Sequence, residues 1–175
     1  MTRSKNSLLS KSRYLLGLQC PRLLWLQANE PARIPAPDET TQYVFDQGHE
    51  VGNLAKRLFP DGIDIPTDDF SFCLAESRRL LTSRYPLFEA AFMCNGMYAR
   101  VDVLQPARGG AWNIIEVKSS TSVKPVNYHD VAFQKCCMEQ AGMRVDRCIV
   151  AHIDNTYVRY GEIMPEELFH LTDIT

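Results

Sequence analysis

At Leu87 the hydrophobic rhythm of the chain changes, and that change decides what it can fold into. Before it, apolar residues recur at helical spacing; after it they come in short runs bounded by turn residues. Leu87–Cys94 (LFEAAFMC) and Met97–Leu104 (MYARVDVL) flank Asn95-Gly96, a dipeptide that favours the tight turn of a β-hairpin. A third run, Trp112–Lys118 (WNIIEVK), follows a stretch broken by Pro106, Gly109 and Gly110. Tyr128–Ala141 reads as a helix closed by Gly142, and Cys148–Ile153 and Thr156–Ile163 read as a strand pair around Asp154-Asn155. Strand, helix, strand from 112 to 153 is a crossover unit, so its two strands should be parallel neighbours joined right-handedly.

The first 85 residues read mainly as helix. Ser10 caps a short helix carrying Leu15, Leu16 and Leu18, and Arg22–Ala28 forms a second apolar turn or two after Pro21. Pro31, Pro35 and Pro37 make a loop, after which Asp38 to Leu58 is a longer helix with Val44, Gly48, Val51, Ala55 and Leu58 as a buried stripe. Phe70–Arg84 is another amphipathic helix, stopped by Pro86, and Trp25, Phe45 and Phe133 are read as core. The expected fold is α/β: one domain over 1–175, helical over about 1–85 with a sheet core over about 86–165. Its mixed central sheet, from 87–118 and 147–163, should be flanked by the helix at 128–141 and the N-terminal helices.

Composition narrows the partners. A chain of 175 residues with 45% hydrophobic content can bury a core without disulfide staples. No run reaches the ~20 apolar residues of a membrane helix, and the N-terminus lacks the pattern of a signal peptide. The net charge of −2 gives no global attraction for a polyanion, although a local basic lining or bound metal can supply one. Cys20, Cys73, Cys94, Cys136, Cys137 and Cys148 form no CxxC pair, which favours a reducing, cytoplasmic setting.

The segment that carries chemistry is Arg100-Val101-Asp102, thirteen residues, then Glu116-Val117-Lys118. If the two strands pair symmetrically about Gly109, facing positions sum to 218, and Asp102 meets Glu116 across the sheet. Carboxylates at the ~4.5–5.5 Å of a cross-strand pair repel unless a cation lies between them. A hard divalent ion such as Mg²⁺ suits such oxygens, and Lys118 leaves the same face two residues on. An E-x-K triplet alone is commonly a solvated sheet face. Here Trp112, Ile114, Ile115 and Val117 make the strand apolar and central, so an unused Glu–Lys pair at its end would be costly.

In order, a helix with His49 in Gly48-His49-Glu50, Asp102, Glu116-Val117-Lys118 and a helix with Gln134 resembles the PD-(D/E)xK nucleases. More narrowly, it is similar to their RecB-like branch, which includes the CRISPR-associated iron–sulfur exonucleases and bacterial RecB-like nuclease domains. The likeness spans roughly residues 8–160 and implies a restriction-endonuclease-like core. It implies a Mg²⁺- or Mn²⁺-dependent deoxyribonuclease, an exonuclease by family habit, with DNA as partner. Asp102, Glu116, the carbonyl of Val117 and His49 would hold metal; Lys118 would orient water and Gln134 would position substrate or water. Glu89 is a further carboxylate for a second metal, and Arg78, Arg79 and Arg84 are candidates for a phosphate track; Lys124 and His129 read as a solvated loop end, with contact to a phosphate backbone as the alternative. The family's glutamine motif continues to a tyrosine, where this chain has Met138. Cys20 matches the early iron–sulfur cysteine, but no cysteine follows Cys148, so either further cysteines follow Thr175 and complete a cluster or Cys20 is an ordinary buried small residue; an additional C-terminal domain or a protein partner is a separate expectation. The alternative function is a non-catalytic nucleic-acid-binding or scaffolding module on the same fold.

Overall fold

A computed structural model describes residues 8–175. The described residues form an α/β fold around one mixed sheet. The strands are β1 (Leu9–Ser10), β2 (Ile63–Asp64), β3 (Leu87–Cys94), β4 (Met97–Pro106), β5 (Trp112–Lys118), β6 (Val145–Ile153) and β7 (Phe169–Asp173). The helices are α1 (Lys11–Gln19), α2 (Pro21–Asn29), α3 (Glu39–Lys56), α4 (Phe70–Leu80), α5 (Pro125–Gln140) and the single turn α6 (Pro165–Leu168). The spatial order is β2-β3-β4-β5-β6-β7, with β1 pairing β4.

The hairpin forms as its turn chemistry requires: Asn95 and Gly96 both take positive φ, 51° and 84°. β3 and β4 pair antiparallel along their length, β4 and β5 pair antiparallel, and β5 and β6 run parallel across the α5 crossover. α5 begins three residues before the expected start, because Pro125 suits a first helical turn and the Asn127 side chain accepts from the Lys124 N–H at 2.7 Å. Gly142, φ 87°, follows its end.

Alternation along the strands sorts the core onto two faces. Leu104 and Ile114 pack with Val131, Cys137 and Met138 of α5 and with α4 residues. Val103 and Ile115 pack on the opposite face with Ala55 of α3, Phe59, Phe88 and Phe169.

Several expectations are corrected. Residues 156–163 are not a strand: Asp154 Oδ1 accepts from the Thr156 N–H and hydroxyl, Gly161 takes φ 75°, and Tyr160 is 87% exposed. The partner of β6 is instead β7, reached through α6. Val44 and Phe45 are exposed on α3, whose packed residues, Val51, Leu54 and Ala55, lie towards its C-terminal end; Trp25 is exposed as well, whereas Phe133 is core. Arg84 ends the α4 segment in a left-handed conformation, φ 57°, after a turn of 3-10 helix. The six cysteines are free, in keeping with their spacing.

Candidate active site

The sheet is opened at one place, and the site lies there. β5 pairs with β4 only from Val103–Ile115 to Pro106–Trp112, in the register whose positions sum to 218. At the other end of β4, β1 joins in parallel at Met97 and Tyr98. Since β3 occupies the opposite edge of β4, β1 and β5 share one edge and leave a gap beside Arg100 and Asp102. Past Ile115 the ladder stops, and the Val117 N–H donates to Asp102 Oδ2 at 2.8 Å.

Glu116 is fully buried next to this gap. Its parity with Ile114 turns it toward α5, where Gln134 Nε2 donates to its Oε2 at 2.6 Å and to Asp130 Oδ1 at 3.0 Å. Asp130 and Gln134 lie four residues apart on one helix face, so they act together. Lys118 bridges Glu116 Oε1 at 2.6 Å and Asp130 Oδ2 at 2.7 Å. Lys11, the residue that follows β1, enters the gap from the other side. Its Nζ lies 2.9 and 3.0 Å from the two Glu116 oxygens and 3.3 Å from Asp130 Oδ1.

Two like charges and little water separate the carboxylates in their titration. Burial, then the charge of Glu116, pushes the Asp102 carboxyl up to about 7, against the pull of Lys11, the Val117 N–H and Lys118. Burial would also raise Glu116, but Lys11 and Lys118 outweigh it and hold that group down at about 2. Asp130 is raised by burial and by Glu116. Both ammonium groups stay charged despite burial, because the facing carboxylates raise them.

Beside the gap is a cavity of about 670 Å³, a size suited to a small ligand or a nucleotide. Asp102, Val117 and Lys11 line one side; Gly48, His49, Gly52, Asn53 and Lys56 of α3 line the other. Close backbone approach would account for Gly48 and Gly52, but a Cβ on either would meet no atom within 4 Å. They weaken α3 by about 1 kcal/mol each without serving packing, and they leave the cavity wall bare.

Of the sequence candidates, Glu116, Lys118 and Gln134 are hydrogen-bonded together, and Asp102 lies beside them, held by the Val117 N–H; the expected cross-strand pair of Asp102 with Glu116 falls one position past the last pair of the ladder, Val103–Ile115. Gln134 is wholly buried and touches carboxylates; its Oε1 has no hydrogen-bond partner. His49 is exposed on the far cavity wall. Among the described residues, no three His, Cys, Asp or Glu side chains converge as a metal-holding group. Glu89 also lines the cavity, paired with Arg100 at 3.0 Å, and its backbone takes φ 61° inside β3, an uncommon conformation for a side-chain-bearing residue.

Arg84 is not placed for a phosphate: it donates to the Ala107 and Ala111 carbonyls at 2.6 and 2.9 Å and lies 4.4 Å from the Trp112 ring. Arg79 pairs with Glu76 on the exposed face of α4. Cys20 is half-buried between α1 and α2, Met138 is core, and His129 is exposed near the Tyr14 hydroxyl at 3.4 Å.

Lys11 and Asp130 are the site residues that sequence reasoning missed. Asp130 reads as helix-dipole compensation from sequence, and the signal that could have found it is its four-residue spacing from Gln134. Lys11 has no such signal, being 105 residues from Glu116.

No protein-family profile matches the chain, and a search of the curated proteins returns no match. No helix among the described residues is long and apolar enough to cross a membrane.

Proposed function

We propose that this chain is a divalent-metal-dependent nuclease of the RecB-like PD-(D/E)xK kind, hydrolysing DNA phosphodiester bonds. The observation that carries the reading is the splayed end of β4 and β5. It sets Asp102 and Glu116 together with Lys118 on Glu116, beside a cavity also lined by Lys56 and Arg100.

The donor set suits Mg²⁺ or Mn²⁺. Such ions take hard oxygen ligands and commonly use one or two carboxylates, filling the rest of the shell with water and substrate oxygens. That the corner is a cation site is supported by the ammonium already packed against Glu116 and Asp130. Asp102, Glu116 and the carbonyl of Val117 are the residues that would hold the ion; His49 lies on the α3 wall of the same cavity. A bound ion supplies charge neutralisation and an acidified water for attack on phosphorus.

The protein's own groups divide the remaining work. Lys118 carries a positive charge at the carboxylate edge, where it would orient the attacking water and offset charge developing on the phosphoryl oxygens. Gln134 and Asp130 hold Glu116 and Lys118 in position through hydrogen bonds. The bare wall at Gly48 and Gly52 leaves room for a strand of nucleic acid; Lys56 and Arg100 line the same cavity paired with Asp64 and Glu89, and would meet phosphates by exchanging those carboxylates.

The test is cleavage of end-labelled single- and double-stranded DNA with Mg²⁺, Mn²⁺ or EDTA. Metal-dependent cutting lost on Asp102→Asn is the expected result. A protein that binds DNA, binds no Mn²⁺ and cuts nothing would be a scaffold, and the nuclease reading would be wrong.

A further inference from the structure

Glu116 leaves no acceptor position open. A carboxylate offers about four lone-pair sites. Lys11 Nζ contacts Oε1 and Oε2, Lys118 Nζ contacts Oε1, and Gln134 Nε2 contacts Oε2. An ion can bond Glu116 only if one of these donors withdraws. Gln134 is sealed in the core on α5, and Lys118 sits two residues away on the same strand with Asp130 as a second anchor. Lys11 alone of the three lines the cavity beside Asp102, and it also lines a neighbouring cavity of about 520 Å³. Its ammonium also lies 3.3 Å from Asp130, and the two cavities give it space to turn into when it leaves Glu116.

Charge points the same way. Once Asp102 gives up its proton to a bound ion's field, three carboxylates (Asp102, Glu116, Asp130) face two ammonium groups (Lys11, Lys118), an excess of one negative charge. A divalent ion added with both lysines in place overshoots to one positive charge; with Lys11 withdrawn, the corner is neutral.

Resting on the metal-nuclease reading above, we propose that Lys11 is a resident counter-ion that exchanges with the divalent metal. In the metal-free protein its ammonium holds Glu116 and Asp130; on metal entry it releases Glu116 and turns into the adjoining cavity. Loading of the site is thereby coupled to the β1–α1 junction, which pairs with β4 immediately before Lys11.

Mn²⁺ titration calorimetry and thermal melts in EDTA and in saturating Mn²⁺ test this on the wild type and Lys11→Met. The variant should bind Mn²⁺ at least tenfold more tightly, melt lower than wild type in EDTA, and recover that difference in Mn²⁺, because an ion that binds only the folded state stabilises it. Equal or weaker Mn²⁺ binding by the variant, with wild type binding normally, overturns the exchange and leaves the metal site standing. Absence of Mn²⁺ binding in both proteins overturns the site itself, and the exchange with it. A variant-free measurement guards against misfolding: amine acylation of the wild-type protein, read by mass spectrometry, should label Lys11 slowly in EDTA and several-fold faster with Mg²⁺. A Lys11 labelling rate that ignores metal would sink the proposal.

Discussion

The Val117 N–H donates to the carboxylate of Asp102, 2.8 Å away. Continued in register, the β4–β5 ladder would have given Val117 to Val101. A side chain has replaced a strand as the acceptor, and the two strands part at that point. The same bond fixes Asp102 at the mouth of the cavity while Glu116 stays behind it, against α5.

Asp102→Asn tests the consequence. Asparagine keeps an oxygen for the Val117 N–H, so the splay survives, and it removes a carboxyl that burial and Glu116 already disfavour as an anion. The variant should melt at or slightly above the wild-type temperature by circular dichroism. Metal-dependent DNA cleavage should fall by about 10²-fold or more, as expected when a group that stabilises the transition state is removed. Parent-rate cutting by a folded variant would remove Asp102 from the site.

Gln134 is best tested by stability. Its amide nitrogen orients two buried carboxylates, while its own Oε1 has no partner. Gln134→Met preserves volume, discards both donated bonds and also discards the orphan oxygen. The net loss should be about 1–3 kcal/mol, or several degrees in melting temperature for a chain of this size. An unchanged melting temperature would mean that the carboxylates need no donor from α5.

Arg84 should matter for folding and not for DNA. It satisfies the Ala107 and Ala111 carbonyls, stacks on Trp112 and holds a left-handed backbone. Arg84→Ala should cost about 2–3 kcal/mol in urea melts, from three lost bonds, to the Ala107, Gly110 and Ala111 carbonyls, and the cation–ring contact. Arg84→Gly should recover up to about 1 kcal/mol of that, since glycine tolerates positive φ. DNA affinity of either folded variant should match wild type; a large drop would return Arg84 to the phosphate track.

Much of the sheet was legible because its signals are local. Asn95-Gly96 fixes one hairpin, and the apolar run of β5, bounded by Ala111 and Ser119, fixes a central strand. The register summing to 218 followed from a turn centred on Gly109, which takes φ 63°. Residues 156–163 misled because Tyr157, Val158 and Tyr160 have strand-forming side chains. Strand propensity records fit to a half-buried surface, and in this segment Val158 and Tyr160 are exposed. On α3 the helical period was correct, but period alone does not say how far along its length a stripe is covered. Lys11 was out of reach for a different reason: its partners are 105 and 119 residues away, and only the pairing of β1 with β4 brings it to them.

Lys118 separates catalysis from metal holding. Its ammonium joins Glu116 to Asp130 with 28% of its side chain exposed, so it has a structural share as well as access to the gap. Lys118→Met keeps the aliphatic stem and removes the charge. Lys11 and Gln134 still contact both carboxylates, so the variant should fold, losing about 1–3 kcal/mol, less than the full cost of breaking a buried pair. A cation cannot ligate a metal ion and repels one nearby, so Mn²⁺ affinity should hold or rise. Single-turnover cleavage should nevertheless fall by about 10²–10⁴-fold, the range for losing a group that positions or protonates in the transition state. Affinity and cleavage must therefore be measured on the same preparation. Loss of both together would make Lys118 a strut for Glu116, and retention of both would leave the nuclease reading without its cation.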